Sequence, residues 1–351
     1  MSLPVYCPFR IFVIVLVFLA FSSYGFAATN TPSQDQKPTE KKEDTKETPE
    51  KFFGLGMEEL SGRAFMTSDG ILLSGSFYPG NADKDTVPVL LLHGQGKSRE
   101  EFTPLIEEMK KRGYAILAFD FRGHGESITR FTQANSSQER RMPNPNWSDG
   151  AMPPPQMPPQ PPKPVEYLQE NFKREDYENL YKFDCLPFYR FLVQKNNEEK
   201  LNLNKLVIIG TDMGGTVGGQ MTKQLWANSK GKNVRALIIV SPNYDPFSKT
   251  LLTNAKCFHK DVPLLMMIGQ LDKRARDNAL NLREDILGKE RRKDDDPTSM
   301  SSPIPIAEFP TERQKGELLK ESKLGIPQRI TDYIDVTLAK HKEKDLKWRK
   351  M

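Results

Sequence analysis

Six consecutive residues, Gly210-Thr211-Asp212-Met213-Gly214-Gly215, follow the apolar run 206–209 and open a stretch of helical spacing. A carboxylate with a glycine two positions away on each side, between a strand and a helix, is placed for chemistry. So tight a turn tolerates only glycine at its flanks, and it thrusts the central side chain up at the helix N-terminus. There Asp212 can attack an electrophile. Alternatively it caps the helix, accepting N–H bonds favoured by the macrodipole, worth about 1 kcal/mol. A dinucleotide site is excluded, because Gly210 and Gly215 miss the Gly-x-Gly-x-x-Gly spacing and no phosphate-loop lysine follows. Gly214, Gly215, Gly218 and Gly219 predict close packing of that helix on a sheet.

Two other polar stretches also end apolar runs: His93-Gly94-Gln95-Gly96 after 87–92, and Asp120 to Ser127 at the end of 114–121. Continuous apolar runs of this length mark strands covered on both faces. The same reading predicts strands over 71–78, 87–92, 114–121, 206–210, 236–240, 264–268 and 304–309. Apolar residues at helical spacing predict helices over 102–112, 170–193 (irregular at Pro187), 214–226, 274–287 and 329–346. Strand and helix therefore alternate, which makes a mostly parallel sheet with helices on both faces. Ligands on such sheets bind at the carboxyl ends of the strands, where all three polar stretches fall.

The three stretches "LLHGQG", "DFRGHGES" and "GTDMGG", in that order, resemble the α/β-hydrolase superfamily over roughly residues 57–340. The likeness is to the serine aminopeptidase, monoacylglycerol-lipase and dienelactone-hydrolase branch. It implies an α/β fold with a mostly parallel eight-stranded sheet, and an oxyanion hole built from the backbone N–H groups of Gln95 and Met213. His93 and Gly94 would line the binding site. Asp272, after a late strand, would be the acid that orients a histidine; a solvated loop aspartate is the other reading.

Two departures from the family pattern carry the functional expectation. Asp212 stands where ester-cleaving members carry serine. Gln314 or Lys315 stands where the histidine base is expected, and none of His93, His124, His259 or His341 falls at that point. Haloalkane dehalogenases and epoxide hydrolases do attack with an aspartate, but the resulting ester needs base-activated water for its release. Glutamine takes up no proton, and lysine near neutral pH already holds one unless desolvation intervenes. The expected function is thus that of a hydrolase-like pseudoenzyme, which binds a small molecule or protein or hydrolyses very weakly. The alternative is an active hydrolase of ester, epoxide or carbon–halogen bonds with Asp212 as nucleophile. No cofactor or metal is implied.

The rest of the chain frames this domain. Arg10, the apolar run 11–21 and the small residues near Ala27 and Ala28 make a secretory signal over residues 1–28. The protein is expected to be secreted or periplasmic, and associated with a membrane only if the signal stays uncleaved as an anchor. Residues 29–55 form a polar linker too poor in aliphatic side chains to order itself. Residues 56–351 form one domain, interrupted at 142–164 by an insertion with ten prolines, which supports neither helix nor ladder. Residues 291–296 read as a solvated charged loop. Cys185 and Cys257 remain after export, as one disulfide or as two buried thiols. The net charge of +5 comes from 51 basic and 46 acidic residues, a mixed surface that argues against a nucleic-acid partner.

Overall fold

The computed structural model describes residues 56–132, 163–229, 233–244, 252, 257–258, 261–288 and 295–351, all within one compact unit, Phe53–Met351. The signal, the linker, His259 and most of the proline-rich insertion lie outside these residues.

Among the described residues eleven strands are present: β1 (Glu58–Leu60), β2 (Ile71–Leu72), β3 (Gly75–Tyr78), β4 (Pro88–Leu92), β5 (Ala115–Phe119), β6 (Thr129–Thr132), β7 (Lys163–Glu166), β8 (Leu206–Thr211), β9 (Val234–Val240), β10 (Leu264–Gly269) and β11 (Ile306–Phe309). Eight make the main sheet, in the order β1-β3-β5-β4-β8-β9-β10-β11. From β5 to β11 every neighbour is parallel, while β1 and β3 are antiparallel at one edge. Every residue of β4, β5, β8, β9 and β10 is buried, which is why these runs lack polar alternation.

Period-two alternation divides each central strand between two cores. Leu90, Leu92 and Ile208 face one side with residues of α3 (Cys185–Asn197), α4 (Asp212–Ser229) and α5 (Lys273–Leu287). Val89, Leu91 and Ile209 face the other side with residues of α1 (Thr103–Lys111) and α6 (Ile326–Ala339), α2 being the short Arg174–Asn179. The two faces are thus sealed by different helices, and the strand ends are left to carry the loops.

The expected strand over 71–78 is two strands in different sheets. The chain breaks at Leu73 and Ser74, where Ser127 Oγ accepts the Ser74 N–H and Phe65 O accepts the Leu73 N–H. Before the break, β2 joins β6 and β7 in a small three-stranded sheet. The expected helix over 170–193 is also broken: a short helix, Arg174–Asn179, runs into a widened turn over Leu180–Asp184 before α3. Pro187 offers no N–H to the turn before it, so the ladder widens there. The closing helix stops at Ala339 and a last short one spans Glu343–Leu346. Asp295, expected in a solvated loop, instead ion-pairs with the buried Arg283. Cys185 and Cys257 are both buried free thiols.

Candidate active site

Asp212 leaves β8 with φ +47 and is the first residue of α4. Its neighbours explain how a non-glycine residue is held in that left-handed conformation. A Cβ on Gly210 would overlap the Gly214 carbonyl, and one on Gly214 would overlap the carbonyl of Leu92. The turn is therefore wedged between β8 and the end of β4 with no room for a side chain on either flank, as the sequence predicts. Asp212 is 6% exposed.

Lys315 is the residue that meets it. Its Nζ lies 2.8 Å from Asp212 Oδ2, an approach outside the angular range of a directed hydrogen bond, so the contact is an ion pair. The lysine backbone is itself in the left-handed region, at φ +52, and its N–H donates to Ser241 Oγ at 2.9 Å. Ser241, which follows β9, also has positive φ, at +48. Gln314, the other residue expected at this point, is exposed at the rim and shares the cavity. Asp272 shares it too, but its Oδ1 accepts the Ala275 N–H at 3.0 Å and so caps α5. The cavity joining Asp212, Asp272, Gln314 and Lys315 measures about 40 Å³. That volume holds a few waters at most.

The segment expected to supply an oxyanion donor is committed elsewhere in part. The Gly94 N–H donates to Glu101 Oε1 at 2.7 Å, and Thr211 Oγ donates to the same oxygen. Glu101 Oε2 is buried without a partner, and burial pushes this carboxyl above its ordinary range despite those donors. Gln95 is half-buried and turns its side-chain amide to Tyr177 Oη at 3.3 Å. Met213, buried, is the second residue of α4, where backbone N–H groups have no acceptor within the helix. Lys97 Nζ reaches Glu317 Oε1 at 3.3 Å and so ties this loop to the turn carrying Lys315.

His93 is fully buried and has no ring nitrogen left for a ligand. Its Nδ1 lies 2.8 Å from Gly94 O, and its Nε2 accepts the Phe121 N–H at 2.9 Å. Burial, the neighbouring His124 and Arg99 pull its pKa down to about 3, although the bond to Gly94 O opposes them. His124 packs against it with ring centres 5.1 Å apart and places Nδ1 on Arg122 O. The 120–127 stretch is a latch. Asp120 binds Arg99 at 2.7 Å, and Arg122 is held by Asp184 at 2.7 Å and by Asp69 at 2.6 Å. Among the described residues no histidine is bonded to Asp212.

Sequence reasoning passed over Ser241, Glu101 and Thr211. Ser241 ends a plain apolar run and carries no local mark. Glu101 lies 110 positions from Thr211, so nothing in either neighbourhood announces their contact.

A family model described as alpha/beta hydrolase fold matches residues 87–303. No curated protein is a significant match to the sequence. Among solved structures, a Pyrococcus furiosus esterase is similar at 17% identity, covering 80% of this chain and 91% of its own, with a TM-score of 0.49. A dienelactone hydrolase from Anabaena variabilis is similar at 16% identity, 79% and 96% coverage and a TM-score of 0.46. Est1E from Butyrivibrio proteoclasticus, solved with ferulic acid, is similar at 12% identity, 78% and 98% coverage and a TM-score of 0.48.

Proposed function

The chain belongs to the alpha/beta hydrolase fold family, and from that premise we propose that it is an exported member whose elbow site is degenerate and which acts by binding. The observation that carries the reading is the Asp212–Lys315 ion pair. In serine-type hydrolases of this fold a histidine takes the proton of the elbow residue, and in aspartate-type members it activates the water that releases the ester. Here the residue that meets the elbow is a lysine. An ammonium held as a counter-ion has no lone pair with which to take a proton from water, so an ester formed on Asp212 would have no base for its release. The cavity between them is also far smaller than the roughly 300–1,000 Å³ of ordinary ligand pockets. In this reading Asp272 is a helix cap, and Gln95 and Met213 are remnants of an anion cradle without an oxyanion to hold. Residues 1–28 serve as the export signal, 29–55 as a polar spacer, and 142–164 as an insertion in the single domain.

One observation favours a second reading. Asp212 is presented on a strained backbone at a helix N-terminus, the posture of a nucleophile. Its carboxylate oxygen would then attack a saturated carbon, displacing halide from a haloalkane, or opening an epoxide whose oxygen stays on the alkyl group and takes a proton from water, and leaving an alkyl ester on the enzyme.

Turnover on ester, epoxide and haloalkane panels, with wild type beside Asp212→Asn, separates the two. The degenerate-site reading expects no turnover that the substitution removes. Intact-protein mass spectrometry after haloalkane exposure adds a second readout, since accumulation of an Asp212 adduct would establish the first chemical step and overturn that reading. Asp212→Ser should yield no multiple turnovers either; if it does, a base exists that the described residues do not contain.

A further inference from the structure

A ligand-sized space lies at the other end of the sheet. Lys205 immediately precedes β8, and Lys84 and Asp85 precede β4; together with the C-terminal residues 338–348 they enclose a cavity of about 660 Å³. The strand β8 puts about 20 Å between this cavity and Asp212. We propose that the cavity binds a small amphipathic anion, an aromatic or branched apolar body carrying a carboxylate, sulfonate or phosphate.

Three features support this assignment. The volume falls in the range of small-molecule sites, whereas the elbow cavity does not. The walls carry an excess of cations: Lys84, Lys205, Lys344 and Lys347 against Asp85 and Glu343. One of these charges is spent internally, because Lys205 pairs with Asp85 at 3.3 Å, which leaves three lysines facing one free carboxylate, Glu343. The floor is apolar, made by Leu338, Leu346 and the Trp348 ring. His341 also lines it, and burial and the nearby Arg235 lower its tendency to carry a proton, so at neutral pH it presents a polar uncharged ring.

The wall is held in place before any ligand arrives. Asn202 Nδ2 donates to Leu346 O at 2.8 Å, Asn204 Nδ2 to Lys347 O at 2.6 Å, and Asn196 Nδ2 to Arg349 O at 3.0 Å. Trp348 Nε1 donates in turn to Asn196 O at 3.1 Å. Arg235 adds a bond to Asp345 O at 2.5 Å. The side chains of Lys344 and Lys347 take part in none of these bonds, so the tail backbone is fixed while its charges stay free. Preorganisation of this kind spares a ligand the cost of ordering the segment.

The inference does not depend on the reading of Asp212, and the test keeps the two apart. Naphthalene-2-sulfonate and its neutral analogue naphthalene-2-methanol are titrated calorimetrically into the full chain, with Trp348 fluorescence as a second signal. Saturable one-to-one binding of the sulfonate is expected, with the neutral analogue at least roughly tenfold weaker, since it forfeits the charged contacts. Lys344→Gln/Lys347→Gln should weaken sulfonate binding roughly three- to tenfold, as two semi-exposed ion pairs warrant. Asp212→Asn should leave it unchanged. Absence of saturation at millimolar sulfonate, equal affinity for the two ligands, or an unchanged double variant would each overturn the proposal. Should the double variant fail to fold, Lys84→Gln, on the exposed loop, gives the same reading with a smaller loss.

Discussion

The two ends of the sheet are built by opposite rules. At the carboxyl end, three non-glycine residues, Asp212, Ser241 and Lys315, sit at positive φ around a cavity of about 40 Å³, and the central charges cancel one another. At the amino end the cavity is some sixteen times larger, and positive charge is left over. In open α/β sheets the crevice beyond the carboxyl ends normally holds the ligand. Here strain and close approach persist at that end, and the described residues beside Asp212 leave about 40 Å³. Backbone strain endures only where the surroundings over-determine it, as the carbonyls of Gly214 and Leu92 do at the flanks of Asp212.

The comparison can be broken or sharpened by measurement, beginning with the largest effect. His93 is buried neutral with its pKa near 3, far below the ordinary histidine value near 6.5. The unfolded chain therefore takes up the proton first. The stability His93 contributes is complete above about pH 6.5 and is lost as pH falls toward 3, by about 5 kcal/mol in full. His93→Gln, with no proton to gain, should unfold less steeply with acid over that window; chemical denaturation at several pH values measures the difference. Equal slopes would mean that this end of β4 is looser than its two backbone bonds indicate.

Gly214→Ala comes next. Its methyl would overlap the Leu92 carbonyl, and backbone cannot step aside as a side chain can, so a loss of about 3 kcal/mol is expected in thermal unfolding. Lys315→Met should cost less, about 1–2 kcal/mol, because it strands the Asp212 carboxylate but the lysine itself is 39% exposed. Adding Asp212→Asn to that variant should recover most of the loss, a coupling that a double-mutant cycle reads directly. The smallest effect belongs to the other end. Asn202→Ala removes the bond to Leu346 O and the cap on Asn204 N–H, so about 1 kcal/mol should be lost. Faster amide exchange should follow over 343–351, with the elbow untouched.

Much of the scaffold was legible because burial leaves a one-dimensional trace. The runs at 87–92, 206–210 and 264–268 are apolar throughout since helices cover both faces, and each became a parallel strand within a residue or two. The elbow was legible as well, because its glycines flank Asp212 at fixed spacing, although what excludes a side chain at Gly214 is the Leu92 carbonyl, 122 positions earlier. The run 71–78 misled for the same local reason: its apolar character is real, but the break at Ser74 depends on Ser127, 53 positions later.

The amino-acid sequence by itself determined the order of strands and helices, the tight turn around Asp212 and the lack of a histidine in the stretch where one was expected. Those features rest on neighbours in the chain and on hydrophobic periodicity. Tertiary structure alone decided that Lys315, and not Gln314, meets Asp212, that Asp272 spends an oxygen on capping, and that His93 is sealed in. It alone also placed a larger cavity at the amino ends of β4 and β8. Each of these depends on which distant side chains share a few ångströms of low-dielectric space, and separation along the chain carries no record of that distance.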